Sequence, residues 1–241
     1  MAHAISILHT NDFHGHLTGA RVAELAAARE SVDLYFDCGD AIKTGNLGIP
    51  LAPEEAWTRL AESRCDASVL GNRETHVLES AFRRKLEGAT HPILVANLRM
   101  RSGALFLPGS QIFERHGVLV GVFGVMVPMV TERMVTARAS QLLWDPPIET
   151  AARVVAELRP NVDLLIALTH IGISQDRKLA EAVSGIDVIL GGHSHTVLET
   201  PERVGETWIA QGGAHGRYFG RYEWTPAALT GGLVQFGAGS A

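Results

Sequence analysis

The sequence predicts an α/β protein with a mainly parallel or mixed sheet and helices outside it, because strand-like and helix-like segments alternate along most of the chain. Apolar runs such as 5–8 and 164–168 are typical of buried strands, and the alanine-rich segment 22–29 is typical of a helix. Polar residues follow several strands directly, where folds of this class place their sites. No repeat or low-complexity linker interrupts the pattern, so we expect one domain over residues 1–241.

Turn and capping residues set the ends of the other elements. Pro53 suits the first turn of a helix over 53–64, and Gly88 suits the position after a helix over 75–87. We also expect helices from Pro146 to about residue 159 and from 174 to 183, and strands over 34–36, 67–70, 93–96, 118–125, 188–190, 207–211, 218–224 and 233–236.

The bulk composition limits the possible partners. The formal net charge of -5 disfavours a nucleic-acid polymer, because such partners select basic surfaces. Only Cys38 and Cys65 are present, so a disulfide framework is not expected and a reducing compartment is favoured. No secretory signal precedes the first strand, and the apolar run 118–130 falls short of the ~18 residues of a membrane span. We therefore expect a cytoplasmic protein without a membrane partner.

Side chains of the types that bind metal ions follow five of the predicted strands. They are Asp12, His14, Asp40, Asn72, His170, His193 and His195. Oxygen and imidazole nitrogen together suit Mn²⁺, Fe²⁺ or Zn²⁺, and the lack of cysteine among them disfavours a thiolate zinc site. Seven ligands are more than one ion needs, so they suit two ions about 3.5–4 Å apart that share a carboxylate. For each residue taken alone, the alternative is ordinary turn or capping chemistry, or a buried histidine.

The order of these motifs resembles that of the calcineurin-like metallophosphoesterases. Residues 10–15 (TNDFHG), 71–74 (GNRE), 169–172 (THIG) and 191–195 (GGHSH) further resemble the catalytic domain of the 5′-nucleotidase family. The resemblance runs from about residue 5 to residue 224. It implies two packed mixed sheets flanked by helices, in a four-layer αββα sandwich.

The resemblance also implies a division of roles among the seven residues. Asp12, His14, Asp40 and His195 would hold one divalent ion, and Asp40, Asn72, His170 and His193 would hold the other, with Asp40 shared. An activated water would then attack phosphorus in line with the leaving oxygen of a small phosphorylated substrate, such as a 5′-nucleotide. A phosphodiesterase acting on cyclic nucleotides and a metal-binding protein of low activity are the alternatives.

The chain departs from the family pattern immediately after Asn72. The family has His-Glu-Phe-Asp there, in which the histidine and aspartate form a catalytic dyad, whereas this chain has Arg73, Glu74, Thr75 and His76. Arginine stays charged and can clamp a phosphoryl oxygen, and His76 can donate a proton to the leaving group. The alternatives are a surface ion pair for Arg73 and a solvated helix face for His76.

The second departure concerns length. The nucleotidases of the family usually carry a C-terminal domain that stacks the nucleobase between aromatic rings, and 241 residues leave no room for it. A partner subunit could supply that function, and a homo-oligomer is compatible with the sequence. His16 is expected to be exposed beside the site and His215 to lie near its mouth.

Overall fold

The computed structural model describes residues 4–138 and 140–238, and most of its strands form two mixed sheets. The strands are β1 (Ile5–Thr10), β2 (Leu34–Asp37), β3 (Ala67–Ser68), β4 (Leu98–Met100), β5 (Ser110–Arg115), β6 (Val118–Met126), β7 (Leu142–Trp144), β8 (Leu164–His170), β9 (Val188–Gly191), β10 (Glu202–Val204), β11 (Thr207–Gln211), β12 (Tyr218–Thr225) and β13 (Ala228–Gln235). The helices are α1 (Gly19–Arg29), α2 (Glu55–Glu62), α3 (Glu79–Lys85), α4 (Pro147–Leu158) and α5 (Ile173–Ala182).

The first sheet has the strand order β13-β12-β1-β2-β3. Its strands β1, β2 and β3 are parallel, and β12 runs antiparallel to both β1 and β13. Thr10 pairs with Asp37 at the carboxyl ends of β1 and β2. The loops that follow these two strands therefore leave the sheet side by side.

The second sheet has the order β10-β11-β9-β8-β6-β5, and its four central strands are parallel. Met126 pairs with His170 at the ends of β6 and β8, and Gly191 pairs with Gln211 at the ends of β9 and β11. This edge of the sheet therefore presents His170 and the 192–195 turn together.

The side chains of β8 show why both faces of the second sheet are covered. Ile166 and Leu168 belong to the core shared with the first sheet, whereas Leu165 and Ala167 pack with residues of α4 and α5. Successive strand residues point to opposite faces, so an uninterrupted apolar run fits a strand buried on both sides. The predicted arrangement of two mixed sheets flanked by helices is confirmed.

The predicted helix over 75–87 is too long. The helix α3 begins at Glu79, after Leu78 in an extended conformation (φ -89°, ψ 126°). The Thr75 hydroxyl donates to the Asn72 carbonyl (2.9 Å), and the Thr75 carbonyl accepts from the Lys85 ammonium (2.8 Å). These bonds hold the start of the segment as a turn.

The predicted strand over 93–96 is wrong, because only Ile93 forms an isolated bridge, with Ser68. The main-chain N–H groups of the segment reach separate partners: Leu94 donates to Ser68, Val95 to Pro108 and Ala96 to Gly124. The segment thus bonds to three separate parts of the chain and does not pair along a single strand. The short strands β4, β7 and β10 and the partly exposed edge strand β5 were not predicted. Within residues 4–138 and 140–238, no helix is both long and apolar enough to cross a bilayer.

Candidate metal centre

Five of the seven predicted ligands adopt the left-handed backbone conformation. The φ angles are 53° at Asp12, 49° at His14, 53° at Asp40, 77° at His193 and 54° at His195. Residues with a Cβ rarely adopt this conformation, because it costs them about 1–2 kcal/mol each. Strained backbone concentrated at these positions indicates a functional site, since the rest of the fold must hold it in place.

Main-chain hydrogen bonds join the loop after β1 to the loop after β2. The N–H of Cys38 donates to Thr10 (2.7 Å), that of Asp12 to Gly39 (2.9 Å), that of His14 to Asp40 (2.7 Å) and that of Gly15 to Ala41 (2.9 Å). The two loops therefore continue the pairing of their parent strands beyond the sheet. The spacing between the first three predicted ligands is set by the backbone.

Two glycines allow the other loops to approach this pair. A Cβ at Gly39 would lie 2.4 Å from the Gly71 nitrogen, and one at Gly192 would lie 2.7 Å from the Cys38 carbonyl oxygen. Both distances are below any normal contact, so a larger residue at either position would push the loops apart.

His14, Asp12 and His195 converge on one side of the site. The Nε2 atoms of His14 and His195 lie 2.9 Å apart. Asp12 Oδ1 lies 3.2 Å from His195 Nε2 and 3.5 Å from His14 Nε2. Asp12 Oδ1 and His14 Nδ1 are buried without a hydrogen-bond partner among the described residues. Buried polar atoms without a partner are costly, and a cation between Asp12 Oδ1 and the two Nε2 atoms would satisfy that oxygen.

Asn72, His170 and His193 converge on the other side. Asn72 Oδ1 lies 3.0 Å from His193 Nδ1 and 3.3 Å from His170 Nε2, which is 3.7 Å from Asp40 Oδ1. The other ring nitrogen of His170 donates to the Cys38 carbonyl (2.7 Å), so Nε2 carries a lone pair. That lone pair faces the acceptor oxygens of Asn72 and Asp40. The nitrogen and the two oxygens repel one another unless a cation lies between them.

The two carboxylates lie between the two sides. Asp40 Oδ2 is 3.7 Å from His14 Nδ1, while its Oδ1 faces His170. Asp12 belongs to both groups of closely spaced ligand atoms, with His14 and His195 in one and with Asp40 and His170 in the other. The fold therefore brings all seven predicted ligands together, and either carboxylate has the position to serve both sides.

The protonation states also suit cation binding. Burial alone would raise the pKa of Asp12, but hydrogen bonds and charges from His14, His170 and Asn11 outweigh it and hold the pKa at about 2. Burial lowers the pKa of His170 and, together with the charge of His170, that of His193. Near neutral pH the site thus offers a charged Asp12 carboxylate and neutral His170 and His193 imidazoles, which are the forms that bind metals. Burial raises the pKa of Asp40, and a bound cation would favour its charged form.

Three buried polar residues that were not predicted as functional hold the ligand loops. The Glu74 carboxylate accepts the N–H groups of Asp40 (3.0 Å), Gly71 (2.8 Å) and Ile42 (3.2 Å), and so joins the second and third loops. Asn11 donates to Asp12 (2.7 Å) and to Gly213, and Gln211 accepts from Ser194 and Thr196 and donates to Gly192. Asn11 and Glu74 lie in motifs that the sequence had already singled out, and Gln211 ends a predicted strand, but nothing in the sequence tells which main-chain groups they bind.

Arg73 and His76 lie at the edge of the site. The Arg73 N–H donates to Asp40 Oδ1 (2.7 Å), and its guanidinium donates to the Lys43 carbonyl (2.8 Å) instead of pairing with Glu74. His76 is half-buried in the turn before α3, so the alternative of a solvated helix face is wrong. Its Nδ1 accepts the Leu78 N–H (3.0 Å).

His16 and His215 form a rim beside the first group of ligands. His215 is exposed, and its ring centroid is 4.9 Å from that of His14, 5.7 Å from that of His195 and 5.2 Å from that of His16. The expected exposure of His16 is confirmed. Both histidines are therefore exposed on the side of the site that holds His14 and His195.

Comparisons with known proteins agree with this geometry. The family model described as calcineurin-like phosphoesterase matches residues 5–197. The 5′-nucleotidase of Mus musculus is 32% identical in an alignment 226 positions long, which covers 81% of this chain and 38% of the mouse protein. The trifunctional nucleotide phosphoesterase protein YfkN of Bacillus subtilis is 27% identical in an alignment 270 positions long, which covers 91% of this chain and 18% of YfkN. The chain thus spans about half or less of the length of such relatives.

Solved structures show the same fold. The 5′-nucleotidase precursor from Thermus thermophilus superposes with a TM-score of 0.79 at 22% identity, over 97% of this chain and 55% of the other. Calcineurin-like phosphoesterase YfkN from Bacillus subtilis superposes with a TM-score of 0.78 at 22% identity, over 100% of this chain and 93% of the other. With a family model that covers most of its length, the chain belongs to the calcineurin-like phosphoesterase family.

Proposed function

We propose that the protein is a metal-dependent phosphoester hydrolase with a dinuclear centre, and that its substrate is a small phosphorylated molecule of the 5′-nucleotide type. The observation that carries the proposal is the presence of two adjacent clusters of metal-binding atoms. In one cluster Asp12 Oδ1 faces the Nε2 atoms of His14 and His195, and in the other Asn72 Oδ1 faces His170 Nε2 and His193 Nδ1. Each cluster has enough donor atoms to hold one cation, so the site suits two. Nucleotide phosphoesterases among the relatives support the substrate class.

Each part of the site then has a role. Divalent ions held there would supply an activated water nucleophile and would neutralise the charge that develops on the phosphoryl group. Asp12, His14 and His195 would hold one ion, and Asp40 and His170, with Asn72 and His193 beside them, would hold the other. Arg73 clamps a phosphoryl oxygen with the guanidinium N–H groups that Lys43 does not engage.

His76 donates a hydrogen bond from Nε2 to the leaving oxygen. The hydrogen bond from the Leu78 N–H occupies Nδ1, so the remaining proton of the neutral ring is on Nε2. If His76 acts there, His76→Ala slows an ester with a poor alkyl leaving group much more than an activated aryl phosphate. Equal losses on both esters would rule out this role.

The main experiment uses protein that has been stripped of metal and reloaded with Mn²⁺, Zn²⁺ or Fe²⁺. We expect two ions per chain and metal-dependent hydrolysis within a panel of 5′-nucleotides, mono-aryl and bis-aryl phosphates. Asp12→Asn and His170→Ala abolish the binding of two ions and the hydrolysis. The control His116→Ala, at an exposed histidine paired with Asp33, leaves both properties intact. Binding of two ions without hydrolysis of any ester would instead identify a metal-binding protein, and faster turnover of bis-aryl esters would identify a diesterase.

A further inference from the structure

A cavity of about 230 Å³ lies beside the candidate metal centre, and we name it the side cavity. Its walls include Asn46, Leu47, His76, Met129, Ser140 and Trp144. None of the roles assigned to the seven predicted ligands uses this space.

One wall of the side cavity contacts the ligand Asn72. The Asn72 side chain donates to Asn46 Oδ1 (3.0 Å), so Asn46 borders the cavity on one side and the predicted ligand on the other. Thr75, also in the wall, donates through its hydroxyl to the Asn72 carbonyl (2.9 Å). The cavity is therefore one side chain away from the Asn72 oxygen that faces His193 and His170.

The opposite wall comes from the chain that leaves β6 next to His170. The Val127 N–H donates to the His170 carbonyl (3.1 Å), and Met129 and Val130 follow within three residues and enter the wall. Both chain segments that frame the second group of ligands thus continue into the side cavity. The side cavity therefore adjoins the second group of ligands.

The chemistry of the walls favours a flat apolar group. Trp144, Met129 and Val130 supply an aromatic ring, a thioether and an aliphatic surface, and Leu47 at the lip is 87% exposed. An exposed leucine beside a site gains stability when a ligand covers it. His76 is the titratable group in the wall, and its Nε2 is free to donate.

The size of the side cavity limits the occupant. Sites for whole drug-sized ligands usually measure about 300–1,000 Å³, whereas an apolar space of about 150 Å³ already accepts a benzene ring. The side cavity lies between these values. It has room for one flat ring but not for an entire nucleotide.

We propose that the side cavity binds the leaving-group end of the substrate, as a single aromatic or heteroaromatic ring that Trp144 and Met129 contact and Leu47 covers. The inference rests on the proposed function and assigns its specificity. Phosphate esters whose alcohol carries such a ring are the preferred substrates, and the ring is recognised within this chain.

The test compares two alkyl esters of similar leaving-group acidity, benzyl phosphate and ethyl phosphate. We expect kcat/KM to be at least tenfold higher for benzyl phosphate in the wild-type protein. Leu47→Asp places a charge at the lip and lowers the benzyl-to-ethyl ratio about tenfold. Val77→Trp, which fills the cavity from another wall position, lowers the ratio similarly.

Leu51→Asp is the matched control, because Leu51 lies in the same loop, is 99% exposed and borders a different cavity. It leaves the ratio unchanged. Equal kcat/KM for the two esters, or an equal effect of Leu47→Asp and Leu51→Asp, would overturn the side-cavity proposal and leave the proposed hydrolase function standing.

Calorimetric titration of the metal-loaded protein with benzylphosphonate and ethylphosphonate gives the same comparison without turnover. If neither ester is hydrolysed with any metal and the two phosphonates bind equally, both proposals fail.

Discussion

Lys85→Met tests how the loops beside Asn72 are held. Lys85 is completely buried, and its ammonium donates to the carbonyls of Arg73 (2.7 Å), Thr75 (2.8 Å), Gly45 (2.8 Å) and Asn46 (3.0 Å). Burial lowers the pKa of Lys85 to about 8, so the side chain is still an ammonium ion at neutral pH. It connects the 45–46 loop to the turn that contains Arg73.

The magnitude follows from the acceptors that methionine would strand. Methionine retains most of the side-chain volume but donates no hydrogen bond, and each buried carbonyl left without a donor costs about 1 kcal/mol or more. The Gly45 carbonyl also accepts from Gly48, which leaves three dependent acceptors. We therefore expect Lys85→Met to lower the free energy of unfolding by about 3 kcal/mol, as measured by urea denaturation at pH 7.

Arg83→Met is the control, because Arg83 lies on the same helix with a side chain that is 59% exposed and pairs with Glu79. An exposed pair contributes little, so the expected loss is within about 1 kcal/mol. A second variant, Lys85→Ala, leaves a space that n-propylammonium fits. We expect this added amine to restore the hydrolysis that the variant loses, and tetramethylammonium to have no such effect. A loss below 1 kcal/mol in Lys85→Met, or no difference from Arg83→Met, would refute the reasoning.

Two further predictions concern Arg73 and His9. Arg73→Met lowers kcat/KM for a mono-aryl phosphate about 100-fold. Arg73→Lys recovers only part of this loss, because a point charge cannot replace two guanidinium hydrogen bonds. An unchanged kcat/KM in Arg73→Met would contradict the role of Arg73 as a clamp. Burial lowers the pKa of His9 to about 4, below its value of about 6.5 in the unfolded chain, so the unfolded state binds the proton more tightly and stability falls as the pH drops from 6.5 to 4. His9→Leu removes about 3 kcal/mol of that loss when urea unfolding is compared at pH 7.5 and pH 4, and an identical pH dependence in both proteins contradicts the assignment.

The convergence of the predicted ligands could be foreseen because it depends on topology. Asp12 and Asp40 follow parallel neighbouring strands, and His170 and His193 follow strands of the second sheet, so all four leave at carboxyl ends of parallel strands. Within one sheet, the rule needs only the alternation of strands and helices and the positions of polar residues, and both are visible in the sequence. The packing of two sheets, which brings the two sets of ligands together, was implied only by the family resemblance.

The supporting contacts could not be foreseen, because their partners are main-chain groups far away along the chain. Lys85 binds carbonyls 39 and 40 residues before it, and Glu74 binds N–H groups 32 and 34 residues before it. Main-chain groups are present at every residue and so leave no mark in the sequence. The same contacts displace the start of α3 to Glu79, which is why the helix over 75–87 was predicted too long.

The backbone ladder between the first two ligand loops has a practical consequence for redesign. Because peptide groups rather than imidazoles or carboxylates keep Asp12 and His14 in register with Asp40, one donor atom can be exchanged without shifting its neighbours. Replacing His14 by aspartate or glutamate, for example, would harden the donor set while its geometry persists. The scaffold is therefore suited to a graded series of variants in which each added carboxylate favours harder cations such as manganese or magnesium.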